Sequence, residues 1–428
     1  MKTDLLHPAH HIVRAMARIY GDGMTTTSGG NLSVRDDDGD LWITPGGVDK
    51  GSLTPDDIMR VAPDGKITGP HRPSVELPFH QLIYQARPDL RAIVHAHPPA
   101  LIAFSVARRI PNTRLIPNMR QICGEVAMAP YGLPGSADLG EKIARVFAGG
   151  CNVVMLENHG VVVGAPDLFE AFMAFETLDF CARLEIDASR VGTPIGLGDE
   201  DVGRSRRKAD PHLPEFVPPF HGSRERSTRQ EMCTLIHRAC DQQLFTSTQG
   251  TFSQRLEGDS FVITPYREDR RHLEERDLVR IDGGHREAGK TPSRSVILHR
   301  EIYRQQPHVE AIIIAHPPSI MSFAVTQAPF DSRLIPESYI MLRQVARLPF
   351  GATFLEPERT AAVFAKDTPL ALVQNDCVVV TGASLIQAFD RLEVAEYSAK
   401  AIIACRSLGA QVMIDAAQVA EIEKAFKL

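Results

Sequence analysis

The sequence predicts an α/β protein that contains two copies of one domain. At 428 residues the chain is longer than most single domains and long enough for two domains, and each of them would be large enough to bury its own core. Short apolar segments with the character of strands, such as Ala92–His97, alternate with segments of helical periodicity, such as the one after Asp167. The third observation is an internal repeat: the motifs of the first half recur in order in the second.

Two histidines stand at the end of the apolar segment Ala92–His97. Side chains of a strand alternate between its faces, so His95 and His97 project from the same face. Pro98 and Pro99 follow at once and end the strand, because proline offers no ladder donor and restricts the residue before it. A His-x-His pair in an apolar strand can also be two core histidines. The pair by itself therefore leaves metal binding open.

A third histidine, His159, follows the apolar run Val153–Leu156, on a polar turn that Gly160 permits. Three imidazoles that leave one ligand position for water or substrate are a common catalytic zinc arrangement. A nearby carboxylate that is not a ligand would then act as general base, and Glu76 is the candidate. Alternatively, Glu76 is only a favourable charge in the first turn of a helix that Ser74 caps.

Five motifs occur in the order Ser28–Ser33, Ile43–Gly46, Pro73–Glu76, His95–His97 and Glu157–Gly160. In this order the chain resembles the class II (zinc-dependent) sugar-phosphate aldolase and adducin-head family over most of residues 8–187. The resemblance implies domains with three α/β/α layers around a predominantly antiparallel sheet. It also implies that Zn²⁺ binds to His95, His97 and His159. Histidine ligands accept Mn²⁺, Fe²⁺ or Co²⁺ as well.

The resemblance also implies which residues hold the substrate. In the aldolases, a Gly-rich loop, a Thr-Pro-Gly loop and the serines before the glutamate hold a phosphate. Gly-rich turns and hydroxyls suit phosphate or carboxylate groups. Val75 stands where aldolases usually have a second serine, so both groups stay open as ligands. The matching residues of this chain are Gly30, Asn31, Thr44, Gly46 and Ser74.

The expected activity is that of a metal-dependent carbon–carbon lyase on a small sugar-derived ketose or hydroxy-oxo acid, with or without a phosphate. Retro-aldol cleavage would pass through a metal-bound enediolate, with the metal as Lewis acid and Glu76 transferring the proton. Decarboxylation and dehydration at the same site are alternatives. Epimerase members usually carry Asp at the position of Glu76, which argues against epimerisation. A non-catalytic adducin-like binding or assembly role is the alternative from another class.

The second half repeats the first with little drift in the offset. Thr264 minus Thr44 gives 220, and His316 minus His97 gives 219. The site residues change, however: Glu76 is matched by Ser295, His95 by Ile314 and His159 by Asp376. One imidazole and one carboxylate do not hold zinc as three imidazoles do. We therefore predict a non-catalytic second domain, with another metal on His316 and Asp376 as the alternative.

The predicted domains are residues 1–190 and 225–428, joined by a Gly-, Pro- and charge-rich linker over 191–224. Members of the family are typically homotetramers whose sites lie between subunits, so a fused pair predicts a homodimer that forms a pseudo-tetramer of domains. We expect the second domain to border the first site and lend it a polar group. Aldolases use an interface tyrosine as proton donor, which makes Tyr339 the candidate.

Composition excludes several partners. A formal net charge of -6 argues against a general nucleic-acid or anionic-membrane binder and favours a small-molecule substrate. No apolar run reaches the length that spans a bilayer. The seven cysteines are scattered and lack C-x-x-C spacing, which indicates reduced thiols. These features predict a cytoplasmic protein.

Overall fold

The computed structural model describes residues 6–206 and 211–428. The chain divides into one unit of Met1–Thr113 with Asn118–Arg183, and a second of Arg114–Pro117 with Leu184–Leu428. Part of the predicted linker, residues 207–210, lies outside the described residues. The described part of that linker contains a helix and a short strand, so it is not structureless; its boundaries stay a prediction.

Six helices and eight strands lie between Pro8 and Val191 of the described chain. The helices are α1 (Pro8–Gly21), α2 (Leu77–Ala86), α3 (Pro99–Val106), α4 (Pro117–Cys123), α5 (Ala137–Ala148) and α6 (Leu168–Val191). The strands are β1 (Asn31–Arg35), β2 (Leu41–Ile43), β3 (Met59–Val61), β4 (Ile67–Thr68), β5 (Ala92–Ala96), β6 (Val126–Ala129), β7 (Val153–Leu156) and β8 (Gly160–Ala165).

The first sheet has the order β4-β3-β2-β1-β5-β8-β7-β6. Every neighbouring pair is antiparallel except β6 and β7, which are parallel. This confirms the predicted antiparallel sheet. The register places Asn31 opposite His95, so β1 and β5 bring two motifs together that are far apart in sequence. β5 is buried along its whole length because it lies in the middle of the sheet.

Helices cover the sheet in the predicted three-layer arrangement. α2 and α5 pack together and bury Phe79, Ile83 and Phe147 in one core with Ile93 of β5. Complete burial of a side chain such as Phe147 contributes about 1.5–3 kcal/mol. α1 contacts β1 and β2, and its Ile12 is fully buried.

The second unit repeats this plan. Its helices are α7 (Asp199–Ser205), α8 (Ser223–Asp241), α9 (Val296–Gln305), α10 (Pro318–Ala324), α11 (Pro336–Leu342), α12 (Ala352–Leu355), α13 (Pro357–Ala361), α14 (Leu385–Cys405) and α15 (Ala416–Phe426). Its strands are β9 (Glu215–Phe216), β10 (Thr251–Arg255), β11 (Phe261–Ile263), β12 (Val279–Asp282), β13 (His285–Glu287), β14 (Ala311–Ala315), β15 (Val345–Leu348), β16 (Leu370–Val373) and β17 (Cys377–Gly382).

The second sheet has the order β15-β16-β17-β14-β10-β11-β12-β13-β9. Thr251 lies opposite Ile314, as Asn31 lies opposite His95 in the first sheet, so the two copies share one register. The parallel edge strand β9 is an addition that comes from the predicted linker. Among the described helices, none is long and apolar enough to cross a membrane.

Candidate metal centre

Three histidines meet at one end of the first sheet. His95 is the fourth residue of β5, His97 follows that strand, and His159 lies on the turn between β7 and β8. One ring nitrogen from each lies within 4.8 Å of the others, and the Nε2 atoms of His95 and His97 are 3.1 Å apart. In the part of the chain that the structure describes, this is the one group of three or more potential metal ligands.

The backbone around the centre is shaped to hold these rings. Asn158 has a φ of 52°, in the left-handed region that asparagine tolerates, and so closes the turn that presents His159. A Cβ on Gly160 would lie 2.6 Å from the Ala96 carbonyl oxygen and 2.7 Å from Cδ2 of His97. The glycine after His159 therefore makes room for the neighbouring ligand as well as for the turn.

The donor set fits a divalent cation. Nδ1 of His95 donates to the Val161 carbonyl oxygen at 2.9 Å, which leaves its Nε2 lone pair toward the other rings. Glu76 Oε2 lies 3.2 Å from Nε2 of His95, and Oε1 lies 3.5 Å from Nε2 of His159. Oε1 is buried and makes no hydrogen bond within the described chain. A cation among these atoms would compensate the buried carboxylate.

Burial keeps two of the three imidazoles neutral. Burial, together with the neighbouring His95, lowers the pKa of His97 to about 3 and that of His159 to about 4. The neutral ring is the form that binds a metal ion. For His95 itself, burial acts to lower the pKa, but the adjacent carboxylate of Glu76 outweighs the effect of burial and raises the pKa.

Glu76 is ionised although it is mostly buried. Burial works to raise the pKa of its carboxyl, but His95, His159 and a hydrogen bond from Asn31 together lower it below its usual range. The residue is the N-cap of α2 rather than part of its first turn, and its side chain makes no capping bond. It accepts from Nδ2 of Asn31 at 2.7 Å instead. This geometry favours the interpretation as a site carboxylate over a helix-end charge.

The structure also connects the loops that carry the predicted substrate residues. The backbone N–H of Ser74 donates to the Thr44 carbonyl oxygen at 3.2 Å, and that of Gly46 donates to Arg72 at 3.0 Å. Gly30 has a φ of 72° and leads directly into Asn31. A role for these five residues in substrate binding stays a prediction. Val75, the departure from the two-serine pattern, is 73% exposed.

Sequence reasoning missed two supports of this region. Lys50 is buried, and its Nζ donates to the carbonyl oxygens of Pro45 at 2.5 Å and Val48 at 3.3 Å, which braces the Thr-Pro-Gly loop. Burial lowers the pKa of this lysine. Arg108 pairs with Glu157 at 3.4 Å, next to the turn that carries His159. The equivalent of Lys50 in the repeat, Arg270, is also buried, and this shared basic position was the available signal.

A third support, which sequence reasoning did not recognise as a group, consists of the buried residues Ser33, His80 and Tyr84 behind Asn31. The repeat contains the same three residue types as Ser253, His299 and Tyr303. Comparison of the two halves at a constant offset would therefore have found it.

The second unit lacks an equivalent centre in its described residues. Ser295 is the N-cap of α9, the place that Glu76 has at α2, and Ile314 fills the strand position of His95. Asp376 accepts a hydrogen bond from the Thr353 hydroxyl. His316 and Asp376 belong to no group of three potential ligands in the described chain. Tyr339 lies on α11 and donates to Glu423 at 2.8 Å; its role as proton donor stays a prediction.

Comparison with known families gives two matches in one chain. The profile described as Class II Aldolase and Adducin N-terminal domain matches residues 10–186 and again residues 230–403. Together the two matches cover more than half of the sequence, one in each predicted domain.

Individual relatives match one domain's length of the chain. A 3-oxo-tetronate 4-phosphate decarboxylase of Haemophilus influenzae is 35% identical over 170 residues, which are 39% of this chain and 80% of the relative. A 5-deoxy-D-ribulose 1-phosphate aldolase of Bacillus thuringiensis is 30% identical over 207 residues, which are 46% of this chain and 92% of the relative. The solved structure of an L-fuculose 1-phosphate aldolase matches with 29% identity and a TM-score of 0.43, over 49% of this chain and 97% of that one.

Proposed function

The chain belongs to the class II aldolase and adducin family, and we propose that its first unit is a metal-dependent lyase that cleaves a small sugar-derived ketose or hydroxy-oxo acid by a retro-aldol reaction. One observation carries the proposal: three histidine nitrogens lie within 4.8 Å of one another beside a buried carboxylate oxygen that makes no hydrogen bond. The alternative of a binding protein without catalysis is disfavoured because the complete ligand set and the base are present in one unit.

Zn²⁺ is the proposed ion, with Mn²⁺, Fe²⁺ or Co²⁺ as alternatives that the same imidazole ligands accept. His95, His97 and His159 would hold it. When bound, a divalent ion supplies a Lewis acid that stabilises the negative charge developing on substrate oxygens.

Glu76 is the proposed base. In the cleavage direction, its free Oε1 takes the proton of the substrate hydroxyl as the C–O bond becomes a carbonyl and the adjacent C–C bond breaks. The electron pair of that bond passes toward the neighbouring carbonyl of the other fragment, and a proton then returns to its carbon. Tyr339 stays the candidate donor of that proton. Since the pKa of Glu76 is lowered, its carboxyl is deprotonated at neutral pH, which is the form that a general base requires.

Decarboxylation is the second candidate, because a relative with 35% identity is named a decarboxylase. The same charge stabilisation serves when carbon dioxide leaves in place of an aldehyde: the leaving carboxylate is already ionised, the electron pair of the broken C–C bond passes toward the neighbouring carbonyl, and a proton then returns to the carbon. Both relatives are named for phosphorylated compounds, which supports a phosphate on the substrate. We propose that Gly30, Asn31, Thr44, Gly46 and Ser74 bind that phosphate.

The test is a turnover assay of zinc- or manganese-loaded protein on a panel of phosphorylated ketoses and 3-oxo acids, with aldehyde and carbon dioxide detected separately. Glu76→Gln should lower kcat by about 10²–10⁴-fold, the usual contribution of a general base, while bound metal persists. Ser295→Ala, the matched change in the second unit, should leave kcat unchanged. Full activity of the Glu76→Gln protein would contradict the assignment of the base.

Assembly and location complete the proposal. We infer a homodimer whose four domains form a pseudo-tetramer, as a fused pair of this family would require. Light scattering should give about twice the 47.1 kDa mass of one chain, and a monomer would contradict it. The scattered cysteines without C-x-x-C spacing support a reducing cytoplasm.

A further inference from the structure

A chain of buried hydrogen bonds leads away from Glu76 to side chains that the proposed function does not use. Nδ2 of Asn31 donates to Glu76 Oε2 at 2.7 Å, and Oδ1 of Asn31 is 2.5 Å from Nε2 of His80. Nδ1 of His80 is 2.6 Å from the Ser33 hydroxyl, which is 2.9 Å from that of Tyr84. None of the five residues is more than 6% exposed. Such a shielded chain is strong when complete and costly when broken.

The carboxylate determines the direction of every hydrogen bond in this chain. Glu76 can only accept, so the NH₂ group of Asn31 faces it and the amide oxygen faces His80. His80 must then donate through Nε2, and its Nδ1 accepts from the Ser33 hydroxyl. Burial, with the nearby His95, lowers the pKa of His80 to about 3, so the ring is neutral at pH 7. A neutral ring with Nδ1 occupied can carry its proton only on Nε2.

The second unit contains the same series of hydrogen bonds except for the link through an asparagine to a carboxylate. Ser253 lies 2.6 Å from Nδ1 of His299 and 2.7 Å from the Tyr303 hydroxyl, as in the first unit. Thr251 replaces Asn31 and bonds Ser293 instead, at 2.8 Å. Nε2 of His299 has no hydrogen-bond partner in the described chain. The serine, histidine and tyrosine therefore keep their hydrogen bonds in the absence of the asparagine, which is present only in the unit that has the carboxylate.

We propose that His80 is a positioning residue that acts on the base through the side-chain amide of Asn31. Its Nε2–H fixes the amide so that Nδ2 holds one oxygen of Glu76, and the other oxygen is left toward His159 for proton transfer. Without that donor the amide can rotate, and the carboxylate loses the one side-chain anchor that the described residues give it apart from the histidines. The inference rests on the proposed function, because that function makes Glu76 the base.

The experiment compares His80→Phe with His299→Phe, its matched control in the second unit. Phenylalanine removes the donor and keeps a ring that can stack on Phe79. His80→Phe should lower kcat on the order of 10²-fold, as expected for a misplaced catalytic group, with KM and metal content close to wild type. Asn31→Thr, which copies Thr251, should lower kcat to a similar extent and also raise KM, because Asn31 is a proposed phosphate-binding residue. His80→Gln should restore part of kcat, because its amide can donate to Asn31 and accept from Ser33.

Several outcomes overturn the inference. Unchanged kcat in the His80→Phe protein does so, and so does a loss of bound metal, since His80 would then act on the metal centre. Equal losses of kcat in His80→Phe and His299→Phe, in proportion to lost stability, would show a merely structural role.

A readout that needs no turnover separates this inference from the proposed function. Nitrogen-15 NMR of the histidine rings should show His80 as the neutral Nε2–H tautomer, with that resonance shifted in the Asn31→Thr protein. An Nδ1–H tautomer overturns the anchoring of Glu76 whether or not the enzyme is active. A wild-type protein that has the expected tautomer but turns over no substrate supports the anchoring and rejects the proposed function.

Discussion

Bound metal should stabilise the first unit, and His159→Ala should abolish the effect. A ligand at 100 times its Kd adds about 2.7 kcal/mol, and each kcal/mol moves the Tm of a unit of this size by about 2–4 °C, so a rise of about 5–11 °C is expected. The substitution removes one of three converging imidazoles. The side chain of His159 is 15% exposed on a turn, so its removal should change the metal-free Tm much less than removal of the fully buried His95.

The assay is thermal unfolding followed by circular dichroism, with and without added zinc or manganese. Wild type and the Asp376→Asn control should both show the shift, since Asp376 belongs to no ligand group in the described chain and asparagine can still accept from Thr353. Metal analysis should give about one ion per chain for both. A full shift in the His159→Ala protein would refute the assignment of this ligand. Two ions per chain would refute the prediction that the second domain has lost its metal centre.

Three further predictions concern glycine packing, acid stability and the proton donor. Gly160→Ala should lower the free energy of unfolding in urea titrations by about 1–3 kcal/mol and weaken metal binding, because the new Cβ meets Ala96 and His97. Gly203→Ala, at a helical position with nothing within 4 Å, should lower neither. Burial lowers the pKa of His299 from 6.5 to about 3, so as the pH falls the unfolded chain binds a proton before the folded chain does. The contribution of neutral His299 to stability is therefore complete above pH 6.5 and falls as the pH drops toward 3, by up to about 1.4 kcal/mol per pH unit. His299→Leu should make that decline shallower in unfolding curves measured across this range, and an unchanged slope would contradict a neutral buried His299. Tyr339→Phe should reduce kcat at least about tenfold if this residue donates the proton. The substitution removes only the hydrogen bond from the Tyr339 hydroxyl to Glu423, so its effect on the free energy of unfolding should be small. Unchanged turnover would remove Tyr339 from the mechanism.

Much of the site could be predicted because its signals are local in sequence. Alternation along a strand places His95 and His97 on one face whatever the rest of the chain does. Gly160 after His159 marks a tight turn, because glycine adopts backbone conformations that other residues avoid. The repeat was equally visible, because a constant offset near 220 needs no structure to be measured. These local rules, together with the family resemblance, predicted the ligand set, the two-domain organisation and the loss of ligands from the second half.

Local rules gave less about element boundaries and linkers. The sequence suggested that Ser74 caps a helix, but α2 begins at Leu77 with Glu76 as its N-cap, because the proline at position 78 fits the first turn there. The segment 191–224 had the composition of a linker, yet it contributes β9 to the second sheet. An edge strand of two residues depends on the backbone groups that its neighbour offers, and composition does not report them.

The sequence by itself determined which residue types are available to bind a metal, because their spacing is set by one strand and one turn. Only the tertiary structure decided how the base is held. Asn31 and Glu76 are 45 positions apart, and Asn31 and His80 are 49 apart. They meet because β1 pairs with β5 in one register and α2 packs against the same sheet. Burial then makes the pattern of hydrogen bonds unique, since only one arrangement pairs Oε2 of the carboxylate, both ends of the amide and both nitrogens of the neutral imidazole.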